Sequence, residues 1–255
     1  MLAMIGVGVY FLKTNRSTDD YYVGGRNIGS LHIGFSVVAT DVGGGFSIGL
    51  GGLGFIMGLS GSWMLFTGLL GAWVSAVFLI PKVKRMGMDL SLLTFPQIFG
   101  RLYNPWVALV AALISGLGYI GFTSSQILAG AKLASASFPS LEVPEAVIIM
   151  GCIAVLYTVI GGLKAVIYTD TIQWAILMFG LIFIGIPLAY QAIGGYEVIV
   201  EVLGHTQMLS FSNVTWVQLV NWAVTIIPIW FVGMTLYQRI YAARDVKQAK
   251  KAWFI

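Results

Sequence analysis

Apolar residues run along this chain in seven stretches, at roughly 2–12, 31–58, 62–80, 105–131, 146–163, 171–190 and 215–237. Crossing the roughly 30 Å hydrocarbon core of a bilayer takes a helix of about 20 such residues. The last five stretches meet that length and predict membrane-spanning helices. The first is too short, and it lacks the basic leader and small-residue cleavage site of a signal peptide. It reads as the tail of a helix that starts before the chain does. The second is too long, because its 28 residues would make a straight helix of about 42 Å. Tilt absorbs part of such an excess, but the glycine density from Gly43 to Gly58 predicts a helix broken near its middle.

Charge in the connections orients these crossings. Alternate connections, counted from the one after the first stretch, hold Lys13, Arg16 and Arg26; Lys82, Lys84, Arg85 and Arg101; Lys164; and Arg239, Arg244, Lys247, Lys250 and Lys251. Of the 14 basic residues only Lys132 falls on the other side, which carries Glu142, Glu145, Glu197 and Glu201. Basic residues favour the cytoplasmic side, so the N-terminus is expected outside, followed by seven crossings and a cytoplasmic tail. Residues 83–104, "VKRMGMDLSLLTFPQIFGRLYN", form a cytoplasmic connector with a short interfacial helix expected around Pro96–Leu102. The external segment 191–214 is long enough for a surface helix. Residues 1–255 therefore read as a single transmembrane domain of a multi-pass protein of the bacterial inner cell membrane.

Composition narrows the function classes. Hydrophobic residues make up 58% of the chain and charged residues 9%, against about 25% charged in a soluble domain. The net charge of +4 does not indicate nucleic acid, since the basic residues form no stripe interleaved with exposed aromatics. A lone Cys152 provides neither a disulfide nor a thiolate metal site, and His32 and His205 are too few and too far apart for a cluster.

One carboxylate stands out. Asp41 lies about ten residues into the second stretch, about 15 Å deep at helical rise and so near the bilayer midplane. An ionised side chain there costs about 2.5–3.5 kcal/mol on insertion scales, and such residues face a bound ion or a water-filled path. The alternative is an Asp that caps a half-helix at the break. Gly43, Gly44 and Gly45 are expected to supply the backbone freedom of an unwound turn. The pairs Gly45/Gly49 and Gly54/Gly58 have the spacing for close helix packing.

In "LGYIGFTSSQILAGAKL", Tyr119, Thr123, Gln126 and Gly130 form one polar and small-residue stripe. Gln126 is the candidate to line a cavity, whereas Ser124 and Ser125 read as partners for neighbouring helices. The last stretch holds Asn221, Thr225 and Pro228; the proline marks a kink, and either Trp222 or Trp230 is expected to face the interior.

At 161–173, "GGLKAVIYTDTIQ", the chain resembles the sodium/solute symporter family of sodium-coupled carriers for proline, pantothenate, sugars, sialic acid and iodide. "YYVGGRNIG" at 21–29 is similar to that family's entry into its broken first core helix, and "QRIYAARDVKQAKKAW" at 238–253 to the basic loop after its sixth. The resemblance implies an all-α integral membrane fold, an inverted repeat of five plus five helices. Residues 2–12 would be part of an extra leading helix, 31–190 the first repeat and 215–237 the start of the second. Residues 238–255 would be a cytoplasmic loop and the beginning of the next helix, so that the chain reads as truncated after the sixth core helix.

The same resemblance implies a sodium site at the carbonyls of Ala39 and Val42, with Ser36 nearby and Asp41 at a position important for sodium coupling. Its hydroxyl half would lie beyond Ile255. Asp170 matches an acidic residue on the inner ion route, although Gln173 three residues on also fits a capping box. Phe46, Phe122, Gln126 and Trp230 are the candidates for solute contact. Gly45 and Phe46 stand where sugar carriers have polar side chains, which argues against a carbohydrate; Gly43 stands where proline carriers have serine. No covalent chemistry and no cofactor are implied, only sodium as the coupling ion and a small organic solute.

Other classes fit less well. A membrane enzyme wants paired carboxylates or a metal set, and the adjacent Asp19 and Asp20 sit in a polar linker. A retinal protein needs a lysine within a helix, and Lys132 lies near an external helix end. An ion channel would share the composition; saturable, strictly sodium-dependent uptake separates the carrier from it.

Overall fold

The structure, a computed structural model, describes residues 2–255 apart from the side chains of Leu2, Gly45, Phe46 and Ser47. Among the described residues the chain is helical, with a single parallel bridge between Ile28 and Ala243 as its only extended pairing. Helix α1 (Leu2–Thr14) and the short α2 (Thr18–Val23) lead into the broken pair α3 (Ser30–Asp41) and α4 (Gly44–Met57). The break falls at Val42–Gly43, within the stretch that is too long for one straight span. A 3₁₀ turn at Gly58–Ser62 then reverses the chain into α5 (Trp63–Phe78). Residue 61 comes back against Leu53, which a continuous helix would keep about 12 Å away.

Helix α6 (Ile80–Asp89) and α7 (Phe95–Leu102) form the polar connector, α7 starting with a Thr94/Gln97 capping box. The expected short helix is there. Helix α8 (Pro105–Ser137) begins at an Asn104 cap whose Oδ1 accepts from the Val107 N–H. Helix α9 (Val143–Gly180) covers two of the predicted crossings and runs through a π-turn at Leu181–Gly185 into α10 (Ile186–Ile193). Its two limbs are not collinear. Gly162 has φ 64° and ψ −167°, a backbone region that only glycine enters at low cost. A Cβ there would also collide with the Tyr21 carbonyl. The Tyr157 side chain comes within reach of Thr169, twelve residues on and about 18 Å away along a straight helix.

The expected helix in the 191–214 segment is α11 (Gly195–Leu203). The last stretch is broken more deeply than one proline kink. Helices α12 (Trp216–Ile226) and α13 (Ile229–Val232) flank Pro228, and α14 (Met234–Ala242) departs at 45° after Gly233, whose ψ is 107°. Helix α15 (Val246–Ala252) starts at an Asp245 cap.

The apolar core lies at the polar-connector end, where Val23, Ile33, Ile80, Leu92, Ile240 and Tyr241 pack together. Ile28 N–H donates to Ala242 O at 3.1 Å and Arg244 N–H to Ile28 O at 3.0 Å, tying the entry of α3 to the exit of α14. Arg26 donates to Asp19 (2.7 Å), Gly87 O (3.0 Å) and Leu92 O (2.9 Å), while Lys84 Nζ donates to Tyr241 O at 2.8 Å. Arg26 and Lys84 are thus structural clamps, and Lys84 is fully buried rather than a loop charge. Away from this end the helices present large apolar side chains outward, among them Phe55, Trp106 and Leu117. Among the described residues, three helical segments, Ile48–Phe78 with its turn at Gly58–Ser62, Pro105–Ser137 and Val143–Ile193 with its break at Gly162, and the bent pair are long and apolar enough to cross a membrane. A membrane is the solvent that such faces require.

Candidate ion and solute site

The ladder of α3 ends when Val42 N–H donates to Val38 O at 2.8 Å. The chain then passes through Val42 (φ −80°, ψ 38°) and an extended Gly43 (φ −71°, ψ −172°) before α4 begins. Main-chain oxygens beyond Val38, those of Ala39 and Val42 included, leave the α3 ladder as at any helix C-terminus. The same end carries the partial negative charge of the helix dipole, which favours a cation. The N-terminus of α4 presents the opposite sign one residue later.

Gly43 and Gly44 differ from the sequence expectation. Neither takes a positive φ, so conformational freedom is not what requires glycine here. Space bears on Gly44, where a Cβ would collide with Ala129 Cβ of α8, whereas a Cβ on Gly43 would meet only the movable tip of the Gln126 side chain, Oε1. Helix α8 therefore packs against the break, with Gln126 beside Gly43 and Ala129 beside Gly44. Of the expected close-packing pairs, Gly49 and Gly54 meet nothing within 4 Å and Gly58 is a turn residue. Ser124 and Ser125 bond back to Ile120 O and Phe122 O within their own helix, not across to a neighbour.

Asp41 is the last residue of α3 and caps no helix among the described residues. The N-cap of α4 is Gly43, with no side-chain bond. The Asp41 carboxylate borders two cavities, of about 720 Å³ and 220 Å³, on either side of the break. Among the described residues no basic side chain pairs with it. The larger cavity is walled by Phe122, Trp230, Phe95 and Phe99, with hydroxyls from Thr40, Ser115, Tyr119 and Thr235. Trp230 is buried and stands between both cavities, so it is the interior tryptophan of its stretch, while Trp216 is exposed. The side chain of Phe46 lies outside the described residues.

Asp170 and Ser36 come together, about a partner that the sequence reading had counted as a loop charge. Ser36 Oγ donates to Asp170 Oδ2 at 2.5 Å, and Arg239 Nε donates to Ser36 Oγ at 2.8 Å. The Arg239 guanidinium also reaches Thr40 Oγ1 (2.5 Å), Asp170 Oδ2 (3.2 Å) and Thr235 O (3.2 Å). Arg239 is 4% exposed and Asp170 9%. Asp170 lies mid-helix in α9 and Gln173 reaches Met4 Sδ, so the two form no capping box. One signal pointed to Arg239: a carboxylate within an apolar helix calls for a cation from a neighbouring one. Thr235 and Tyr119, 3.2 Å apart through their hydroxyls, carried no such signal.

The remaining acidic pair is engaged elsewhere. Asp19 pairs with Arg26, and Asp20 accepts from the Arg16 N–H and Ser17 Oγ with Lys164 3.8 Å away. The Arg16 backbone N–H, then Ser17, holds the Asp20 carboxyl below its usual range.

Comparison with known proteins agrees with this architecture. The chain is 29% identical over 230 residues to the sodium/proline symporter of Salmonella typhimurium, covering 89% of this chain and 45% of that protein. It is 32% identical over 205 residues to sodium/glucose cotransporter 1 of Oryctolagus cuniculus, covering 78% of this chain and 30% of that one. The chain thus spans less than half the length of these relatives. Its fold matches that of a Na+-coupled sialic acid symporter in a substrate-bound outward-open state, with a TM-score of 0.83 at 21% identity. That match covers 99% of this chain and 54% of the other. The model of the sodium:solute symporter family matches residues 21–255, from the approach to the broken helix through α15. The chain belongs to that family.

Proposed function

We propose that this chain carries the ion-binding half of a sodium-coupled symporter for a small organic solute. The observation that carries the reading is the break at Val42–Gly43, where a helix C-terminus and the Asp41 carboxylate meet the wall of the 720 Å³ cavity. Sodium is held by the carbonyls of Ala39 and Val42 with Asp41 supplying charge, the device that discontinuous helices offer at midplane. The solute occupies the cavity between Phe122 and Trp230, a volume within the usual range of about 300–1,000 Å³ for small-molecule sites. Any anionic group on it is favoured toward the N-terminus of α4.

Binding is cooperative because one backbone break serves both partners. Sodium at the end of α3 fixes the geometry at Val42–Gly43, and with it the cavity wall at Thr40 and Asp41. In this reading residues 31–190 form the first five-helix repeat, 215–237 open the second, and one bundle rocks against the other to expose the site alternately. No bond in the solute is made or broken. Asp170 and Ser36 belong to a second polar centre deeper toward the connector end, not to the ion's immediate shell.

The test is a panel of amino acids, sugars and organic acids offered to a carrier containing this chain. One class should be taken up saturably with sodium and not with potassium. Uptake insensitive to the cation, or current that never saturates with solute, would reject the reading in favour of a channel.

A further inference from the structure

Helix α4 is held at its ends. Its first turn meets α8, where Ala129 stands against Gly44, while a Cβ added at Gly49, Gly51, Gly52 or Gly54 would meet nothing among the described residues within 4 Å. Its 14 residues make a rod of about 21 Å, hinged at Val42–Gly43. The far end is fastened to the external segment. Gly58 passes so close to the Met208 carbonyl that a Cβ would collide with it. Ser60 is fully buried; its hydroxyl donates to Ser210 O at 2.7 Å and accepts from the Asn213 N–H at 2.8 Å. Trp63 Nε1 donates to Phe211 O at 2.9 Å. Each of these bonds ends on a main-chain atom of residues 210–213, a stretch that runs into α12 through its Thr215 cap. Helices α12 and α13 lie in turn on α5, with Ile226 beside Gly68 and Trp230 so near Gly71 that a Cβ there would collide with its ring.

We propose that Ser60 is a positioning residue for the ion and solute site, a role that rests on the transport reading above. It pins the outer end of the first interrupted helix to the segment entering the second, so α4 and α12 move as one piece with Trp230, a wall of the solute cavity. The N-cap of α4 has no side-chain bond to hold an angle. Where the far end of the rod is held therefore sets where its N-terminus, and the Val42 carbonyl beside it, face. Without the Ser60 hydroxyl, the Asn213 N–H and the Ser210 carbonyl lose their partner together, and such groups are costly to leave unpaired. Because the bonds end on the main chain, the pin depends on the side chains of Ser60 and Trp63 and not on those of residues 210–213.

The experiment measures the distance between spin labels on Phe55→Cys of α4 and Val224→Cys of α12, both exposed positions. The protein is a carrier containing this chain, with its native cysteines replaced, Cys152→Ser included. Paramagnetic resonance should give one narrow distance distribution, the same in sodium as in potassium. Ser60→Ala should broaden it, and should weaken binding of radioactive sodium about fivefold, the worth of roughly one hydrogen bond. Asn213→Ala keeps the main-chain N–H and should change neither reading. Trp63→Phe, which loses only the bond to Phe211 O, should broaden the distribution less, and it answers the question if Ser60→Ala does not fold. The proposal falls if Ser60→Ala, or Trp63→Phe in its place, leaves the distribution narrow, or if sodium splits that of the wild type. It falls equally if Asn213→Ala acts like Ser60→Ala, or if a broadened distribution leaves sodium affinity unchanged. The distances need no bound ion, so a wild type that binds no sodium would sink the transport reading while the pin is still judged on them.

Discussion

Three side chains show how the same residue type takes different roles here. Asp41 meets no basic partner and borders open space; Asp170 is locked by an arginine; Asp20 is solvated and bonded to a loop. The proposed cation site uses the first. Gln126 lies against the break, its Oε1 where a Cβ on Gly43 would stand. Gly43→Ala puts a methyl where Gln126 Oε1 now sits, and Gln126→Ala empties that same space. Each should therefore weaken apparent sodium affinity in uptake assays, with the double variant no worse than the worse single one. Additive losses would show that the two residues act separately.

Lys84 provides a pH signature. Burial pushes its ammonium down from the usual 10.5 to about 8, with Arg26 adding to the effect and Asp245 opposing it. Between those values the folded protein holds fewer protons than the unfolded chain, so this residue's contribution to stability rises with pH across that window. Below about pH 8 both states are charged and the cost of burial is fully present. The melting temperature of the wild type should gain on that of Lys84→Met as pH climbs from 8 toward 10.5. A constant difference would place the amine in water.

At the scale of helices, much was legible because hydropathy length is a hard constraint. A 28-residue apolar stretch cannot be one straight span, and the break appeared inside it, at Val42–Gly43. The connector helix α7, the 191–214 helix and the interior Trp230 were equally readable. What the sequence concealed were long-range pairings. Nothing local tells that Arg239 leaves the basic loop set to meet Asp170, 69 positions away, or that Gly44 has no room for a side chain because of Ala129 on α8. The depth of the second break was hidden too, since Pro228 drew attention from Gly233. Gly162 is the sharpest local test. A side chain there is strained by φ and meets the Tyr21 carbonyl, so Gly162→Ala should cost about 1–3 kcal/mol or more. Thermal unfolding in detergent reads this directly, and an unaltered midpoint would mean that the two limbs of α9 do not reverse there.

In the whole molecule the cavity beside Phe122 and Trp230, the break at Val42–Gly43 and the Asp170–Arg239 centre adjoin the clamped core at the connector end. The clamps join the entry of α3, the exit of α14 and α6 into one body, which α9 meets through buried Ile167 in the apolar core as well as through Asp170, and α8 through the Tyr119–Thr235 contact. The central claim is that the interrupted helix holds sodium next to Asp41. Equilibrium binding of radioactive sodium to the purified carrier, wild type against Asp41→Asn, addresses that claim most directly. The account predicts saturable binding that potassium does not displace, weakened about tenfold or more when the charge is removed, as for a charge-assisted contact of roughly 1.5–3 kcal/mol. Sodium binding of equal affinity in both proteins would contradict it.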